Sequence, residues 1–452
     1  MSERPFRARR LHFVGIGGAG MSGLALVAQA LGAEVSGSDR SPSSYVARLR
    51  RHGIDPAIGH DAANLPASAE VVVSTAIPAD NPELAAARAA GVRVLHRGEL
   101  LGEVSRLRRS IAVAGTHGKT TTSGMLAHAL TAAGRTPSYL IGGELQPTRT
   151  NAVWSDDGDW LVLEADESDG SFLELRRDVA VVTNVELDHH ANYRSRSELE
   201  AAFADFTAPA SMRVLGPGVD LPGGAAITFG IETGDLRAEG LELLPLGSRF
   251  VVDGVPVELN VPGRHNVLNA LAALAACRAT GLEPAEAAPQ LGRYEGTARR
   301  FEDRGGTATG ARVFDDYAHH PTEVRATLEA ARTVGARRVV ACFQPHLYSR
   351  TRELSREFGR ALALADVVVF IDVYPALERA EDFPGVSGLL VAEAAAESAG
   401  GRRVWWLPSM DDAECMLRAE LRAGDLLLTL GAGDVDRLAA SLTATPPAEA
   451  RR

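Results

Sequence analysis

The stretch SIAVAGTHGKTTT (residues 110–122) leads from an apolar run through a loop with two glycines into a helical pattern. Glycines let such a loop turn tightly, so that its N–H groups can face a phosphate at the helix N-terminus. A lysine adds a point charge there, and the hydroxyl that follows it can bind Mg²⁺. The usual spacing would place a first glycine where Val113 stands. We therefore interpret the stretch as a strand, a degenerate phosphate loop and a helix; the alternative is a plain strand–turn–helix junction with an exposed lysine.

Lys119 in this loop is the only lysine among the 47 basic residues of the 452-residue chain, and the other 46 are arginine. A bias of this size reflects drift, since most surface cations can be either residue. Where lysine has survived, we expect a chemical reason, and this favours the phosphate-loop interpretation. The net charge of −11 and the absence of a long basic run argue against nucleic acid as the main partner.

Strand-like runs alternate with helical stretches along the whole chain, which is typical of α/β domains with parallel sheets. The length corresponds to about three domains. We predict a Rossmann-like N-terminal domain at 1–109, a central P-loop ATPase-like domain with a mostly parallel sheet at 110–308, and a Rossmann-like C-terminal domain at 309–452. The Gly-rich segment EDRGGTATG (302–310) is interpreted as a linker or hinge.

A second glycine motif lies near the N-terminus, again between a strand-like run and a helical stretch. Gly15-Ile16-Gly17-Gly18-Ala19-Gly20 is followed by Asp39 at the end of the next strand-like region. This arrangement is typical of dinucleotide binding, in which the acid contacts a ribose hydroxyl. Alone it is a weak signal, and a tight turn without a ligand stays open. Together with the first loop it favours two nucleotides, one a substrate and the other an energy source.

Acidic side chains follow two apolar runs of the central region. Glu164 begins a segment with four acids in six residues (164–169), and Asn184, Glu186, Asp188 and His189 follow the next run. Carboxyl ends of parallel strands meet at one edge of a sheet, where ligands bind. Hard oxygen ligands and one imidazole suit Mg²⁺ or Mn²⁺ around a triphosphate. Either cluster alone would be an ordinary solvated loop, but both after a phosphate loop favour a metal site.

Motifs along nearly the whole chain resemble, in order, those of the Mur ligases of bacterial cell-wall synthesis. The matching segments are FVGIGGAGMSG (13–23), GTHGKTTT (115–122), EADESDGSFL (164–173), TNVELDH (183–189), GRHNVLNA (263–270), GTARRFE (296–302), DDYAHHPTE (315–323), FQPHLYSRTR (343–352) and LTLGAGDV (428–435). The resemblance implies an ATP-dependent carboxylate–amine ligase, and the pattern is closest to members that join L-alanine to UDP-N-acetylmuramate. It also implies a role in peptidoglycan synthesis, and hence in cell-wall biogenesis, cell shape and cell division.

The resemblance also implies roles for individual residues. The UDP-substrate site would comprise Gly15, Gly17, Gly18, Ala19, Gly20 and Asp39. The ATP site would comprise Gly115, Thr116, His117, Gly118, Lys119, Thr120, Thr121, Asn266, Asn269, Arg300 and Asp316. Thr120 and Glu164 would hold one Mg²⁺ or Mn²⁺ ion, and His189 would be the ligand of a second one. Catalysis and amino-acid binding would involve Lys119, His319, His346 and Arg350, where buried structural histidines and a surface arginine are the alternatives.

Two positions depart from the family pattern. His190 stands where methionine is expected, so either histidine of the pair could bind the metal, and Leu347 stands where some members have arginine. Three other functions stay open: a ligase that recycles a whole tripeptide onto the same sugar nucleotide, an NAD-dependent oxidoreductase, and a non-catalytic UDP-sugar sensor. The run Glu167–Phe172 favours the alanine enzyme over the recycling ligase. The oxidoreductase leaves Lys119 and Glu164 unexplained, and the intact acid positions argue against the sensor.

The expected cellular location is inferred from the apolar runs and the cysteines of the sequence. No window reaches about 18 consecutive apolar residues, so no membrane span is expected. The three cysteines, Cys277, Cys342 and Cys415, lie far apart, which fits a reducing compartment. We therefore expect a cytoplasmic enzyme that uses ATP, UDP-N-acetylmuramate and L-alanine, whose oligomeric state the sequence leaves open.

Overall fold

The computed structural model describes residues 4–187, 193 and 195–444 of the chain. The chain divides into two compact units that are interleaved in sequence. The first unit extends to Gly240 and also contains Phe250–Glu258 and Val267–Glu295, whereas the second contains Leu241–Arg249, Leu259–Asn266 and the chain from Gly296 onward. Among the helices that the structure describes, none is both long enough and apolar enough to cross a membrane.

The first sheet of the first unit has five strands in the order β3-β2-β1-β4-β5, and all neighbours are parallel. This order, in which the chain winds outward from β1 in both directions, is that of a Rossmann-like domain, as predicted. The strands are β1 Arg10–Val14, β2 Glu34–Asp39, β3 Ala57–Ile58, β4 Glu70–Val73 and β5 Val94–His96. The helices are α1 Ala19–Ala30, α2 Ser44–Arg51, α3 Pro82–Ala89 and α4 Arg97–Ser105.

The second sheet has eight strands in the order β13-β12-β11-β10-β6-β9-β7-β8. The printed pairs are parallel except β7 with β8, so the predicted mostly parallel sheet is confirmed. The strands are β6 Arg109–Ala114, β7 Ser138–Leu145, β8 Thr150–Val153, β9 Trp160–Glu164, β10 Val179–Val182, β11 Met212–Leu215, β12 Ala226–Gly230 and β13 Leu236–Arg237. The helices are α5 Lys119–Ala132, α6 Arg196–Thr207, α7 Arg264–Ala279 and α8 Pro284–Leu291.

Three further strands form a small sheet in the order β14-β15-β16. They are β14 Glu239–Leu244, β15 Gly247–Val252 and β16 Val255–Leu259. Asp253 and Gly254 connect β15 to β16 with φ values of 50° and 78°. Two successive positive φ angles are the geometry that an Asp-Gly pair favours in a two-residue hairpin turn.

The sheet of the second unit has six strands in the order β17-β18-β22-β19-β20-β21. Its neighbours are parallel except the edge strand β17, and the predicted Rossmann-like C-terminal fold is confirmed. The strands are β17 Glu302–Gly306, β18 Arg312–Asp316, β19 Arg338–Phe343, β20 Val367–Phe370, β21 Arg403–Trp406 and β22 Asp425–Leu430. The helices are α9 Pro321–Thr333, α10 Tyr348–Leu362, α11 Gly388–Ser398, α12 Met410–Glu420 and α13 Asp436–Thr443.

The interpretation of 302–310 as a linker was wrong for most of that segment. Residues 302–306 form β17 and pair antiparallel with β18. The pairing shifts register between Asp303 and Gly305, and Gly305 has a φ of 97°. A glycine at such an irregularity adopts a backbone conformation that other residues avoid, so its presence is compatible with an edge strand.

A buried carboxylate connects the strands of the first sheet to the segments around its carboxyl edge. Glu83 on α3 is fully buried and accepts hydrogen bonds from Ser38 Oγ at 2.7 Å and Asn64 Nδ2 at 2.9 Å, and it lies 2.9 Å from His12 Nε2. Burial alone raises the pKa of Glu83, but the hydrogen bonds from His12, Ser38 and Asn64 outweigh it and hold the pKa at about 2. The folded protein therefore stabilises the charged carboxylate.

We expect Glu83→Gln to lower the free energy of unfolding by about 3 kcal/mol at neutral pH, which is the size of a pKa depression of this order. Because the folded pKa lies below the ordinary value of 4.5, the contribution is complete above that value and is lost as the pH falls from 4.5 towards 2. Urea unfolding of both proteins between pH 7 and pH 3.5 would measure the difference. Glu34→Gln, in an exposed pair with Arg10, is the control and should change little. A difference that stays constant down to pH 3.5 would contradict the assignment.

Candidate active site

The loop between β6 and α5 makes two close approaches that only glycine permits. Gly115 has a φ of 126°, and a Cβ atom there would collide with Thr183 Oγ1. Gly118 has a φ of 82°, and a Cβ atom there would collide with the side-chain oxygen of Asn269. The loop that sequence spacing marked as degenerate is therefore tightly packed, and it ends at the N-terminus of α5 with Lys119 as the first helical residue. Helix N-termini present N–H groups that favour phosphate.

The end of β10 holds the loop in place. Asn184 accepts the N–H of His117 at 2.9 Å through its side chain and that of Thr116 at 3.2 Å through its carbonyl oxygen. Thr183 Oγ1 donates to the His117 carbonyl at 2.6 Å, and Glu186 Oε2 lies 3.0 Å from His117 Nε2. Asn184 and Glu186, which the sequence placed among metal ligands, thus contact the phosphate loop itself.

Lys119 extends back over its own loop towards the end of β9. Its Nζ donates to both carboxylate oxygens of Glu167 at 2.9 and 3.0 Å, and to the carbonyl of Gly115 at 2.8 Å. Although burial opposes the charged form of Lys119, the nearby carboxylates of Glu167, Asp166 and Glu164 outweigh it and raise the pKa of the ammonium. The folded protein therefore favours the charged ammonium of Lys119.

The two described members of the predicted metal site lie together. Thr120 Oγ1 donates to Glu164 Oε1 at 2.9 Å, and the other oxygen of Glu164 accepts the N–H of Gly142 at 2.6 Å. A hydroxyl and a carboxylate oxygen next to a phosphate loop are the ligand types that Mg²⁺ takes, so the residues fit that ion. His189, the predicted ligand of a second ion, and its neighbour His190 lie outside the described residues.

The remaining predicted ATP contacts lie on two different units. On the first unit, Asn269 accepts a hydrogen bond from Thr122 at 3.3 Å beside Gly118, and Thr121 is buried in the first turn of α5. On the second unit, the Asn266 amide donates to the carbonyl of Pro262 at 2.7 Å. Both asparagine side chains are buried, so the residues packed around each one fix its position.

The N-terminal glycine loop lies at the carboxyl end of β1, as predicted. The N–H groups of Gly15 and Ile16 donate to the carbonyl of Ser38, and Gly18 precedes α1, whose first residues are Ala19 and Gly20. Asp39 accepts the N–H of Gly17 at 2.8 Å through one carboxylate oxygen. The acid expected to contact a ribose thus also stabilises the loop.

The predicted residues of the second unit cluster beyond the ends of β18 and β19. Both carboxylate oxygens of Asp316 accept backbone N–H groups, from Phe301 at 2.7 Å and from Ala318 at 2.8 Å. Burial raises the pKa of Asp316 to about 6, although these bonds and Arg300 oppose the rise. The Arg300 guanidinium lies 5.1 Å from the centre of the Tyr317 ring.

Two histidines and an arginine of the second unit lie close together, although His319 follows β18 and His346 and Arg350 follow β19. His319 Nδ1 is 2.9 Å from the carbonyl of Tyr317, and because a carbonyl only accepts, this nitrogen carries the proton. The ring of His346 lies 5.9 Å from that of His319, and its Nδ1 is 3.4 Å from Arg350 Nη1. Arg350 is buried in the first turns of α10, which excludes the alternative of an exposed surface arginine.

The sequence interpretation missed several contacts of this site. Glu167 was one of four clustered acids, and nothing in the sequence distinguished it as the partner of Lys119. Thr183, for which the sequence predicts no role, lies against Gly115. A glycine directly after an apolar run, as at Gly115, is the sequence signal that could have indicated a closely packed residue from a neighbouring strand of the sheet.

Three family models match successive parts of the chain. They are the Mur ligase family catalytic domain at residues 10–109, the Mur ligase middle domain at 113–277 and the Mur ligase glutamate ligase domain at 299–433. The chain belongs to the Mur ligase family. The predicted family is therefore confirmed, and so is the predicted three-domain α/β fold class.

Individual relatives cover this Mur ligase almost completely. A UDP-N-acetylmuramate–L-alanine ligase of Kineococcus radiotolerans is 51% identical, with 95% of this chain and 94% of the relative covered. The crystal structure of a UDP-N-acetylmuramate–alanine ligase from Thermotoga maritima matches with a TM-score of 0.83 at 29% identity, over 96% of this chain and 98% of that one. A murein peptide ligase from Psychrobacter arcticus matches with a TM-score of 0.72 at 25% identity, over 97% and 100%.

We expect Gly118→Ala to abolish nucleotide binding by this Mur ligase, because the new methyl group would displace Asn269 and shift the loop. Gly134→Ala, at the other end of α5, is the matched control: Gly134 has a φ of 78° and open space around it. Both changes share a conformational cost of about 1–2 kcal/mol, but only the first adds a collision. Calorimetric titration with ATP would compare them, and equal affinities would show that the collision does not matter.

Proposed function

We propose that this Mur ligase joins L-alanine to the carboxylate of UDP-N-acetylmuramate at the expense of ATP, in the synthesis of peptidoglycan precursors. The observation that carries the proposal is the phosphate loop with Lys119, beside Thr120 and Glu164 at the carboxyl edge of the central sheet. Curated relatives that share this reaction in their names, at 44–51% identity over nearly the full length, support the choice of substrates. A cytoplasmic location and roles in cell shape and cell division belong to the same proposal.

The reaction requires activation of a carboxylate, because oxide is too poor a leaving group for direct attack by an amine. In the proposed route, the muramyl carboxylate attacks the γ-phosphorus of ATP, and ADP leaves as an acyl phosphate forms. The alanine amine then attacks the acyl carbon and phosphate leaves, which completes the amide bond. Each step moves negative charge among phosphate oxygens, so positive charge fixed beside them lowers both barriers.

The residues of the first unit serve phosphate transfer in this proposal. Lys119 contacts the γ-phosphate, and the N-terminus of α5 with Gly115, Thr116, His117 and Gly118 surrounds the β-phosphate. One Mg²⁺ ion, which Thr120 and Glu164 would hold, and a second, for which the family resemblance implies His189 as a ligand, would further neutralise phosphate charge. The loop from Gly15 to Gly20 with Asp39 serves the UDP portion of the sugar nucleotide.

The residues of the second unit serve the amino acid and the nucleoside portion of ATP. Arg350 offers a planar fork for the alanine carboxylate. His319 or His346 would accept the proton of the amine or orient the amine for attack. Asp316 would hold the ATP ribose, Arg300 would contact a phosphate, and Asn266, together with Asn269 of the first unit, would contact the adenine side. The proposed domains are 1–109 for the UDP substrate, 110–308 for ATP and 309–452 for the amino acid.

One assay tests the proposed substrates. With ATP, Mg²⁺ and UDP-N-acetylmuramate present, we expect phosphate release when L-alanine is added and none with buffer alone. Release only with a tripeptide in place of L-alanine would instead support the recycling ligase. Absence of phosphate release with any amine would support the non-catalytic UDP-sugar sensor. Reduction of NAD in a separate assay would support the oxidoreductase.

We expect Lys119→Arg to reduce turnover at least about 100-fold, which is the usual loss when one charge-stabilising donor is misplaced. The positive charge remains, but a planar guanidinium cannot replace a compact ammonium that fits between Gly115 and Glu167. Arg196→Lys, the reverse exchange in an exposed pair with Glu200, is the control and should leave turnover unchanged. Phosphate release at saturating substrates measures both, and near-normal turnover of Lys119→Arg would show that the loop needs only charge.

A further inference from the structure

Glu167 is the most deeply buried carboxylate beside the phosphate loop. Only 1% of its side chain is exposed, compared with 13% for Lys119. Both of its oxygens contact the lysine Nζ, at 2.9 and 3.0 Å. A buried carboxylate in a position where a triphosphate is expected repels that ligand unless a cation lies between them. The predicted metal ligands Thr120 and Glu164 do not explain why a buried carboxylate lies at Glu167.

The hydrogen bonds of Lys119 are already directed at protein oxygens. Besides Glu167, the Nζ contacts the carbonyls of Gly115 at 2.8 Å and Thr116 at 3.4 Å. An ammonium has three N–H groups, so a phosphate oxygen that approaches must take the place of one partner. The two carbonyls belong to the loop that surrounds the phosphate. Glu167 is the charged partner, and it is the one whose interaction competes most directly with an anion.

The backbone around Glu167 is fixed independently of Lys119. Glu167 begins a 3-10 turn that extends to Asp169, and the hydroxyl of Tyr193 donates to the Glu167 carbonyl at 2.8 Å. The N–H of Ser168 donates to Asp166 Oδ1 at 3.1 Å within the same turn. When the pair separates, the flexible lysine side chain is therefore the part that moves.

We propose that Glu167 is a positioning residue that binds the Lys119 ammonium in the nucleotide-free enzyme and yields it to the γ-phosphate of ATP. This inference rests on the proposed function, because it takes the loop to be the ATP site. Burial raises the pKa of Glu167 to about 7 against the opposing effect of Lys119, which fits a carboxylate that depends on this cation. The contact between Glu167 and Lys119 keeps the loop ordered before ATP binds. Because ATP must break this contact, nucleotide binding is weakened by the free energy of the Glu167–Lys119 pair.

The direct test is Glu167→Gln, which keeps the shape and removes the competing charge. Asp166 and Glu164, whose carboxylates also favour the charged form of Lys119, remain in this variant. We expect the Kd for Mg²⁺ with adenylyl imidodiphosphate, a non-hydrolysable ATP analogue, to fall about tenfold, equivalent to about 1.4 kcal/mol. The Tm of the nucleotide-free protein should fall at the same time, because its buried lysine has lost its partner. Calorimetric titration and thermal melts measure the two effects.

The matched control is Glu174→Gln, an exposed acid in the next turn of the same segment, which should change neither quantity. An unchanged or weaker Kd in folded Glu167→Gln protein would overturn the proposal while leaving the ATP site in place. Failure of the wild-type protein to bind the analogue would instead overturn the proposed function. The two failures are therefore distinguishable.

The wild-type protein allows a second test that needs no substitution. Because Lys119 is the only lysine in the sequence, labelling with ¹⁵N-lysine in a tag-free protein gives a single ζ-ammonium signal in an NMR spectrum. We expect the signal to shift when Mg²⁺ and the analogue are added, as the contact changes from carboxylate to phosphate. A signal that keeps its position at saturating analogue would mean that Lys119 stays on Glu167, and the proposal would fail.

Discussion

The close packing of the loop between β6 and α5 against the ends of two neighbouring strands is the constraint on which the site depends. The strand order β10-β6-β9 places β10 on one side of the loop and β9 on the other. Asn184 after β10 holds the loop backbone, whereas Glu164 at the end of β9 and Glu167 beyond it bind the side chains of Thr120 and Lys119. Without a glycine at 115 the loop would be pushed away from Thr183, and these contacts would separate together.

Much of this arrangement could be predicted from the sequence because it depends on local patterns. Apolar runs that end in glycine or in acids identify buried parallel strands and their functional edge, and these features placed Lys119, Thr120 and Glu164 at one site. The prediction of a linker at 302–310 was wrong because it also relied on a local pattern. The glycines of this segment indicate flexibility locally, but pairing with β18, a tertiary effect, decides that residues 302–306 form β17.

Individual hydrogen-bond partners could not be predicted, since a sequence lists donors and acceptors without their distances. Asp39 matches the position of a ribose-binding acid, yet in the structure one of its oxygens accepts the N–H of Gly17. Glu167 and Glu164 are three residues apart and chemically alike, but one binds Lys119 and the other Thr120. The 3-10 turn that begins at Glu167 directs the two glutamate side chains to different partners. The position of such a turn depends on tertiary packing, which a single sequence does not reveal.

The survival of one lysine among 46 arginines is explained by the geometry of its partners. Arg338 shows the contrast: it binds both oxygens of Asp425 at 3.1 and 2.6 Å in a fork, a geometry that arginine matches and lysine does not. At Lys119 the acceptors converge instead on a single nitrogen, from the Gly115 carbonyl on one side and Glu167 on the other. A tetrahedral ammonium directs its N–H groups at converging oxygens, whereas a guanidinium spreads its five N–H groups over a plane. Replacement of lysine by arginine is therefore tolerated where acceptors lie side by side and opposed where they surround one point.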